Sequence, residues 1–158
     1  MSTRTIEDVI RDVLKGGSQE NALSSVSHLR EIEKSGHVSI AMHDEKDESG
    51  WNIANMGFMV ITGGDDFPGP WTMWVPVNNI GEKLGYQVDD GLKAFAWAHV
   101  SPCGSCGGSC TPGVSATIFG KQFENTCQAN LMFTNPDVDG VGMMKRIFDI
   151  RKGEIKLT

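Results

Sequence analysis

Hydrophobic residues recur every three or four positions through the first 36 residues and then change to a shorter period. Residues 6–14 carry an apolar stripe of helical spacing, and Gly16 and Gly17 follow it as an end signal. Ser18 can cap a second helix, whose stripe stops at Gly36. The pattern predicts two helices with packing faces. Their apolar positions are Ile6, Val9, Ile10, Val13 and Leu14, and then Leu23, Val26, Leu29 and Ile32.

Beyond the helical segment, apolar and polar residues alternate as they do along strands. Residues 38–42 predict a half-buried strand, and the polar residues 44–50 predict a turn. Residues 51–62 read as a second strand and residues 71–77 as a third. Because short polar turns join these strands, the pattern favours an antiparallel meander over a parallel sheet.

The second half of the chain adds two helices and a hairpin. Asp89 or Asp90 can open a helix that runs to about His99. Residues 116–134 predict a hairpin that turns at Gly120. Asn135 as a cap, with Pro136 at the first helical position, then predicts a final helix. The apolar face of that helix is Val141, Met144, Ile147 and Phe148.

These elements predict an α+β fold with a mainly antiparallel sheet, two N-terminal helices, one middle helix and one C-terminal helix. A chain of 158 residues can bury a core without disulfides. We therefore expect a single domain over residues 1–158. It would comprise a helical N-terminal segment, 1–36, and an α+β body, 37–158, with a cysteine-rich loop at 101–113.

The net charge of the chain limits the classes of partner that this domain is expected to bind. The net charge is −6, which argues against general binding to the phosphate backbone of nucleic acids. The first residues lack the continuous apolar run of a secretory signal, and no stretch approaches the ~20 apolar residues of a spanning helix. The sequence thus predicts a cytoplasmic protein with no nucleic-acid or membrane partner.

Four cysteines carry the strongest chemical signal: Cys103, Cys106, Cys110 and Cys127. In a reducing compartment, grouped cysteines favour metal binding or redox chemistry over structural disulfides. Four thiolates match the tetrahedral preference of zinc, and the two-residue spacing of the first pair lets both converge on one ion. The sequence therefore predicts a zinc site, with His99 as an alternative ligand.

Three alternatives to zinc stay open at this point. Cys103 and Cys106 could cycle between thiol and disulfide, which would make the chain a redox-responsive thiol protein. Four thiolates could also hold an iron–sulfur cluster, although the spacing matches neither ferredoxin pattern. Finally, the cysteines could be unligated. A closed four-cysteine site leaves no position for water and argues against a metal hydrolase.

The tryptophans suggest a binding surface. Trp51, Trp71 and Trp97 are candidates for an aromatic-walled pocket that takes a small apolar or planar ligand, with core packing as the alternative. Trp71 and Trp74 are three apart, so on a regular strand they face opposite sides of the sheet.

No sequence motif for catalysis is present, including those of the P-loop, dinucleotide-binding, serine-hydrolase and zinc-protease types. We therefore expect a non-enzymatic ligand-binding, sensory or interaction module with a small-molecule or protein partner. A small metalloenzyme is the less favoured alternative, and the oligomeric state stays open.

Three segments carry a resemblance to known domains. They are WAHVSPC at 97–103, IFGKQFENTC at 118–127 and FTNPD at 133–137. Together with the final helix, they resemble an uncharacterised bacterial cysteine-containing α+β domain that occurs alone or beside helix-turn-helix regulators. The order of elements over residues 37–152 is also similar to that of small YjbR-like α+β domains. The resemblance implies the fold and implies no activity or catalytic residue.

Overall fold

The computed structural model describes residues 4–36, 38–64, 69–77, 88–102 and 113–155 and has an α+β architecture. Within these ranges the helices occur in the order that the sequence predicts: two N-terminal, one middle and one C-terminal. They are α1 Ile6–Val13, α2 Gly16–Glu33, α3 Asp90–Ala98 and α4 Val138–Ile155. The strands are β1 Ile40–Asp44, β2 Asp47–Ile53, β3 Gly57–Ile61, β4 Trp71–Val75, β5 Val100–Pro102, β6 Val114–Ile118 and β7 Lys121–Thr134.

The N-terminal helices differ in how they begin. Thr5 and Asp8 form a reciprocal capping box at the start of α1. The prediction that Ser18 caps α2 is wrong, because α2 already begins at Gly16 and its N-cap residue, Lys15, makes no side-chain cap bond. Ser18 Oγ instead donates to Asn135 Oδ1 at 2.9 Å and so contributes a tertiary contact.

An ion-pair network joins the two N-terminal helices. Arg30 Nη2 lies 2.9 Å from Glu7 Oε1, and Arg30 Nη1 lies 2.9 Å from Glu33 Oε1. The hydrogen bonds from Arg30 lower the pKa of the Glu7 carboxyl group below its ordinary value. The stabilisation is therefore present at neutral pH and is lost as the pH falls through the lowered pKa.

The sheet is more finely divided than the sequence pattern indicates. Residues 51–62 were expected to form one strand, but a turn separates β2 from β3 within that range. Asn55 occupies this turn with a φ of 64°, a left-handed conformation that asparagine tolerates well. The polar turn is also shorter than expected, since β2 already begins at Asp47.

The seven strands of the described ranges form one antiparallel sheet with the order β1-β2-β3-β4-β7-β5, and β6 pairs with β7. Strand β7 pairs with three other strands, β4, β5 and β6. Leu131 pairs with Val75 of β4 on one edge and with Val100 of β5 on the other. The cysteine-rich loop was expected to begin at residue 101, but Ser101 and Pro102 belong to β5.

The two faces of the sheet have different roles. Directly paired residues share a face, so the register row Trp51, Met59, Met73 and Phe133 lies on one side of the sheet. All four side chains are buried in the core with the apolar faces of the helices. The opposite side, which we call the outer face, carries the alternate row Asn52, Phe58, Trp74 and Met132.

The middle and C-terminal helices complete the core. Asp89 caps α3 by accepting from Leu92 N at 2.8 Å, as the sequence predicts. The expected start of the last helix at Asn135 and Pro136 is wrong by two residues, because Asp137 Oδ1 accepts from Gly140 N at the beginning of α4. The predicted apolar face of α4 is confirmed: Val141, Met144, Ile147 and Phe148 are all buried. Among the helices described here, none combines the length and the hydropathy needed to cross a membrane.

Candidate functional site

The cysteine-rich segment is bracketed by two residues that pair with the same position of β7. Pro102 at the end of β5 and Val114 at the start of β6 are both register partners of Thr126, on its two edges. Cys127 is the next residue of β7. The described chain on either side of the segment therefore converges next to the cysteine that the sequence predicts as the fourth ligand.

Only one of the four predicted ligands lies within the described residues. Cys103, Cys106 and Cys110 lie outside them, so the zinc site stays a prediction. Cys127 is half-buried and has no disulfide partner in the described part of the chain. Among the residues of that part, no group of three or more His, Cys, Asp and Glu side chains could hold a metal ion.

A buried asparagine fixes the backbone around Cys127. Asn130 is 1% exposed and has a φ of 56°. It lies in a bulge of β7, because β7 has more residues than β5 between their paired positions at Thr126 and Leu131. Its Oδ1 accepts from Val77 N at 2.9 Å, and its Nδ2 donates to the carbonyl oxygen of Cys127 at 3.2 Å. These bonds satisfy buried polar groups of the bulge and tie it to the segment that follows β4.

The ring of His99, the alternative ligand, is held by a hydrogen bond and by two aromatic rings. Its Nδ1 lies 2.7 Å from the carbonyl oxygen of Phe95, which can only accept, so Nδ1 carries the proton. The centroid of the His99 ring lies 4.3 Å from that of the Phe95 ring and 5.1 Å from that of the Phe133 ring. These two contacts hold the orientation of the His99 ring. In a neutral ring, Nε2 would then carry the lone pair, which is the tautomer that a metal ligand needs.

The three candidate tryptophans occupy different environments. Trp51 is 3% exposed and its indole donates to Glu48 O at 2.7 Å, while Trp71 is fully buried. Both lie in the core, which is the placement that the packing alternative predicts. Trp97 is half-buried on α3 and donates to Ile118 O at 2.7 Å. The structure does not bring these three indoles together around one cavity in its described part.

A groove of about 490 Å³ lies where the β2–β3 turn, the end of β4 and the C-terminal end of α4 meet. This volume falls in the range of small-molecule sites, roughly 300–1,000 Å³. The β2–β3 turn and the strand ends beside it supply residues 52–58 of the lining, and the rest comes from β4, the segment after it, β7 and α4. Its lining residues are Asn52, Ile53, Ala54, Asn55, Met56, Gly57, Phe58, Trp74, Pro76, Ala129 and Arg151.

The aromatic part of the lining comes from the outer face. Phe58 and Trp74 are directly paired across β3 and β4, and their ring centroids lie 6.4 Å apart. His43 of β1 extends the row, because its ring meets Phe58 edge-on at 5.5 Å. Phe58 and Trp74 are both half-buried, so each keeps part of its ring accessible at the groove. The two ring planes are inclined by 44°, so each ring offers an apolar surface of its own for stacking.

The described lining includes one charged side chain. Among the lining residues that the structure describes, Arg151 is the only charged one. Its Nε donates to the carbonyl oxygen of Asn55 at 2.9 Å. This bond ties the Arg151 side chain to the turn, where Asn55 has a left-handed conformation.

Sequence reasoning missed this groove because its walls are distant in the chain. The alternation rule does place Trp74 on the face opposite Trp71, and this is confirmed by the burial of Trp71 and the partial exposure of Trp74. No local pattern connects Trp74 to Arg151. Only the register of the sheet and the docking of α4 bring them to one site.

Comparison with known proteins gives no match: no protein-family model, no curated protein and no solved structure is similar to the chain at a significant level.

Proposed function

We propose that this protein is a non-enzymatic domain that binds a small molecule in the groove between the β2–β3 turn and α4. The observation that carries the proposal is the groove itself, whose described lining has two half-buried aromatic rings and one cationic side chain around a volume typical of ligand sites. The bound molecule would contact Trp74 and Phe58. A sensory or interaction role follows if ligand binding alters the surface that a protein partner recognises.

The second part of the proposal is a structural zinc ion held by Cys127 with Cys103, Cys106 and Cys110. Two observations support it. The described residues that flank the cysteine-rich segment both pair with Thr126, next to Cys127, and Asn130 fixes the carbonyl group of Cys127. A reducing, cytoplasmic location would keep the thiols available to the metal.

Two of the candidate zinc donors, Cys127 and His99, lie within the residues that the structure describes. Cys127 is half-buried, so its thiolate could reach a metal without being deeply desolvated. His99 has the tautomer of a ligand and stays the alternative donor. When bound, zinc would hold the cysteine-rich segment to β7 and would perform no chemistry.

Screening a library of small planar compounds by ligand-observed NMR tests the binding proposal. We expect binders whose affinity falls about 10-fold or more in Trp74→Ala, because stacking contributes ~1–3 kcal/mol. Trp97→Ala is the matched control, since it removes an equally half-buried indole that does not line the groove. Loss of binding in Trp97→Ala with retention in Trp74→Ala would place the ligand elsewhere.

Elemental analysis of protein purified without added metal tests the zinc proposal. We expect one equivalent of zinc in the wild type and an affinity lowered by about 100-fold or more in Cys127→Ser, because one of four ligands is lost. His99→Gln retains zinc if the four cysteines form the site. Metal-free protein whose thiols oxidise reversibly would instead support the redox alternative, and an unchanged zinc content in Cys127→Ser would remove Cys127 from the site.

A further inference from the structure

We propose that the rings of Trp97 and Phe123 form a second binding site, which takes the quaternary ammonium group of a small organic cation. This inference goes beyond the proposed function, because none of the described residues that line the groove belongs to the site. The observation that carries it is the position of Lys121. Its Nζ atom lies over both rings, 5.2 Å from the centroid of Trp97 and 5.3 Å from that of Phe123.

The two rings come from separate elements, and both are anchored. Trp97 lies near the C-terminal end of α3, and its indole Nε1 donates to the carbonyl oxygen of Ile118 at 2.7 Å. Ile118 and Lys121 are register partners at the end of the β6–β7 hairpin, and Phe123 follows on the same face of β7. Both rings are half-buried against the core, so each is held in place and keeps part of its surface accessible.

The position of Lys121 indicates that the two rings can hold an ammonium group without a carboxylate. In the described part of the chain, no acidic side chain lies within ion-pair distance of Lys121 Nζ. The first acidic residue after it in β7, Glu124, accepts hydrogen bonds from Ser115 and Gln122 instead. The attraction on the ammonium group therefore comes from the electron-rich faces of the rings.

A quaternary ammonium group suits these rings better than a lysine side chain does. A primary ammonium is strongly hydrated and loses part of that hydration when it meets a ring. The methyl groups of a quaternary ammonium are apolar, so they are stabilised by burial against the rings while the charge stays attracted to the ring faces. Lys121 is exposed and can return its ammonium group to water, which leaves both rings to the ligand.

The charges of the protein act on such a ligand in two opposite ways. The net charge of −6 attracts cations at long range. Lys121 opposes binding locally, because it occupies the rings and carries the same charge as the ligand. Lys121 is therefore an internal competitor, and its removal should raise the affinity of the site for an external cation.

Choline and 3,3-dimethyl-1-butanol, its uncharged analogue with a tert-butyl group, separate the contribution of charge from that of shape. Each compound is titrated into the wild-type protein at constant ionic strength while the indole N–H signal of Trp97 is followed by two-dimensional NMR. We expect choline to bind about 10-fold more tightly than the alcohol, because only the charged compound is attracted to the ring faces. Lys121→Gln should bind choline more tightly than the wild type by about 3-fold or more.

Two matched phenylalanine variants assign the binding to this site. Phe123→Leu keeps an apolar side chain and removes the ring, so we expect the affinity for choline to fall about 3-fold or more while that for the alcohol changes little. Phe58→Leu makes the same change at a half-buried ring of the groove. A loss of choline affinity confined to Phe58→Leu would move the cation to the groove and overturn the proposal.

The wild-type and Lys121→Gln titrations alter no buried residue, so the test stands even if Phe123→Leu fails to fold. Equal affinity for choline and the alcohol would overturn the proposal, because charge would then contribute nothing to binding. An unchanged choline affinity in Lys121→Gln would also contradict it, because Lys121 and the ligand would then not share the rings. The absence of a saturable shift in both proteins up to about 100 mM choline would rule out the site.

Discussion

Replacing Gly57 with alanine is expected to destabilise the domain by about 3 kcal/mol or more. A Cβ atom at this position would overlap the carbonyl oxygen of Trp74 and would lie 3.2 Å from its carbonyl carbon. These are backbone atoms of the neighbouring strand, so they cannot move aside as a flexible side chain can. Relief requires separation of β3 from β4, which also form the aromatic part of the groove.

Chemical denaturation of Gly57→Ala and Gly142→Ala measures this effect against a matched change. Gly142 lies on α4, and an added Cβ would meet nothing within 4 Å. Alanine there should stabilise the protein by about 0.5–1 kcal/mol, because it favours the helix. Similar stability of Gly57→Ala and the wild type would show that β3 and β4 are not as closely apposed at Gly57 as described.

Replacing Asn130 with alanine is the second large effect, with an expected loss of about 3 kcal/mol. The substitution removes the acceptor for the buried Val77 N–H and the donor to the carbonyl oxygen of Cys127. Unsatisfied buried groups cost about 1–3 kcal/mol each. Alanine also tolerates the left-handed backbone, with φ at 56°, less well than asparagine by about 1 kcal/mol.

Asn125 supplies the control that separates these two contributions. It has nearly the same left-handed φ, 55°, in the same strand, but its side chain is exposed. Asn125→Ala should therefore show only the backbone cost of about 1 kcal/mol. Asn130→Gly should recover the backbone part and retain the loss of hydrogen bonds. Equal costs for Asn125→Ala and Asn130→Ala would contradict a structural role for the buried amide.

The order and type of the helices could be read from local patterns. Their apolar stripes have helical spacing, and Asp89 lies where a capping residue is expected. The start of α2 could not be read in this way, because Lys15 and Gly16 lack the side chains of a cap. The start of α4 was misread because Asn135 does not have the extended backbone of a cap residue: its φ is 42°, and its Oδ1 accepts from Ser18 Oγ, which is a tertiary bond.

The division of residues 51–62 into two strands shows where periodicity fails. The stretch from Trp51 to Thr62 is rich in apolar residues, and these residues occur in both paired strands, β2 and β3. The turn depends on the left-handed conformation of Asn55, a single polar residue that interrupts the apolar stretch less than a cluster of polar residues would. The wall of the groove lies in this turn, so the same error hid the candidate site.

The cysteines were found by spacing, and their chemistry stays a prediction. Spacing identifies which side chains can converge on an ion, but convergence itself depends on the path of the chain between them. For Cys127 the structure adds the surroundings: a bulge held by Asn130, next to the residue where β5 and β6 both pair. A pattern of cysteines alone could not have indicated this.

The location of a bound compound tests the small-ligand proposal most directly. Backbone amide signals are followed by two-dimensional NMR while a screened binder is added to the wild-type protein. We predict that the largest shifts occur at Asn55, Gly57, Trp74 and Ala129, which line the groove from the β2–β3 turn, β3, β4 and β7. Shifts confined to the N-terminal helices, or a binder that leaves these four signals unmoved, would contradict the groove as the binding site.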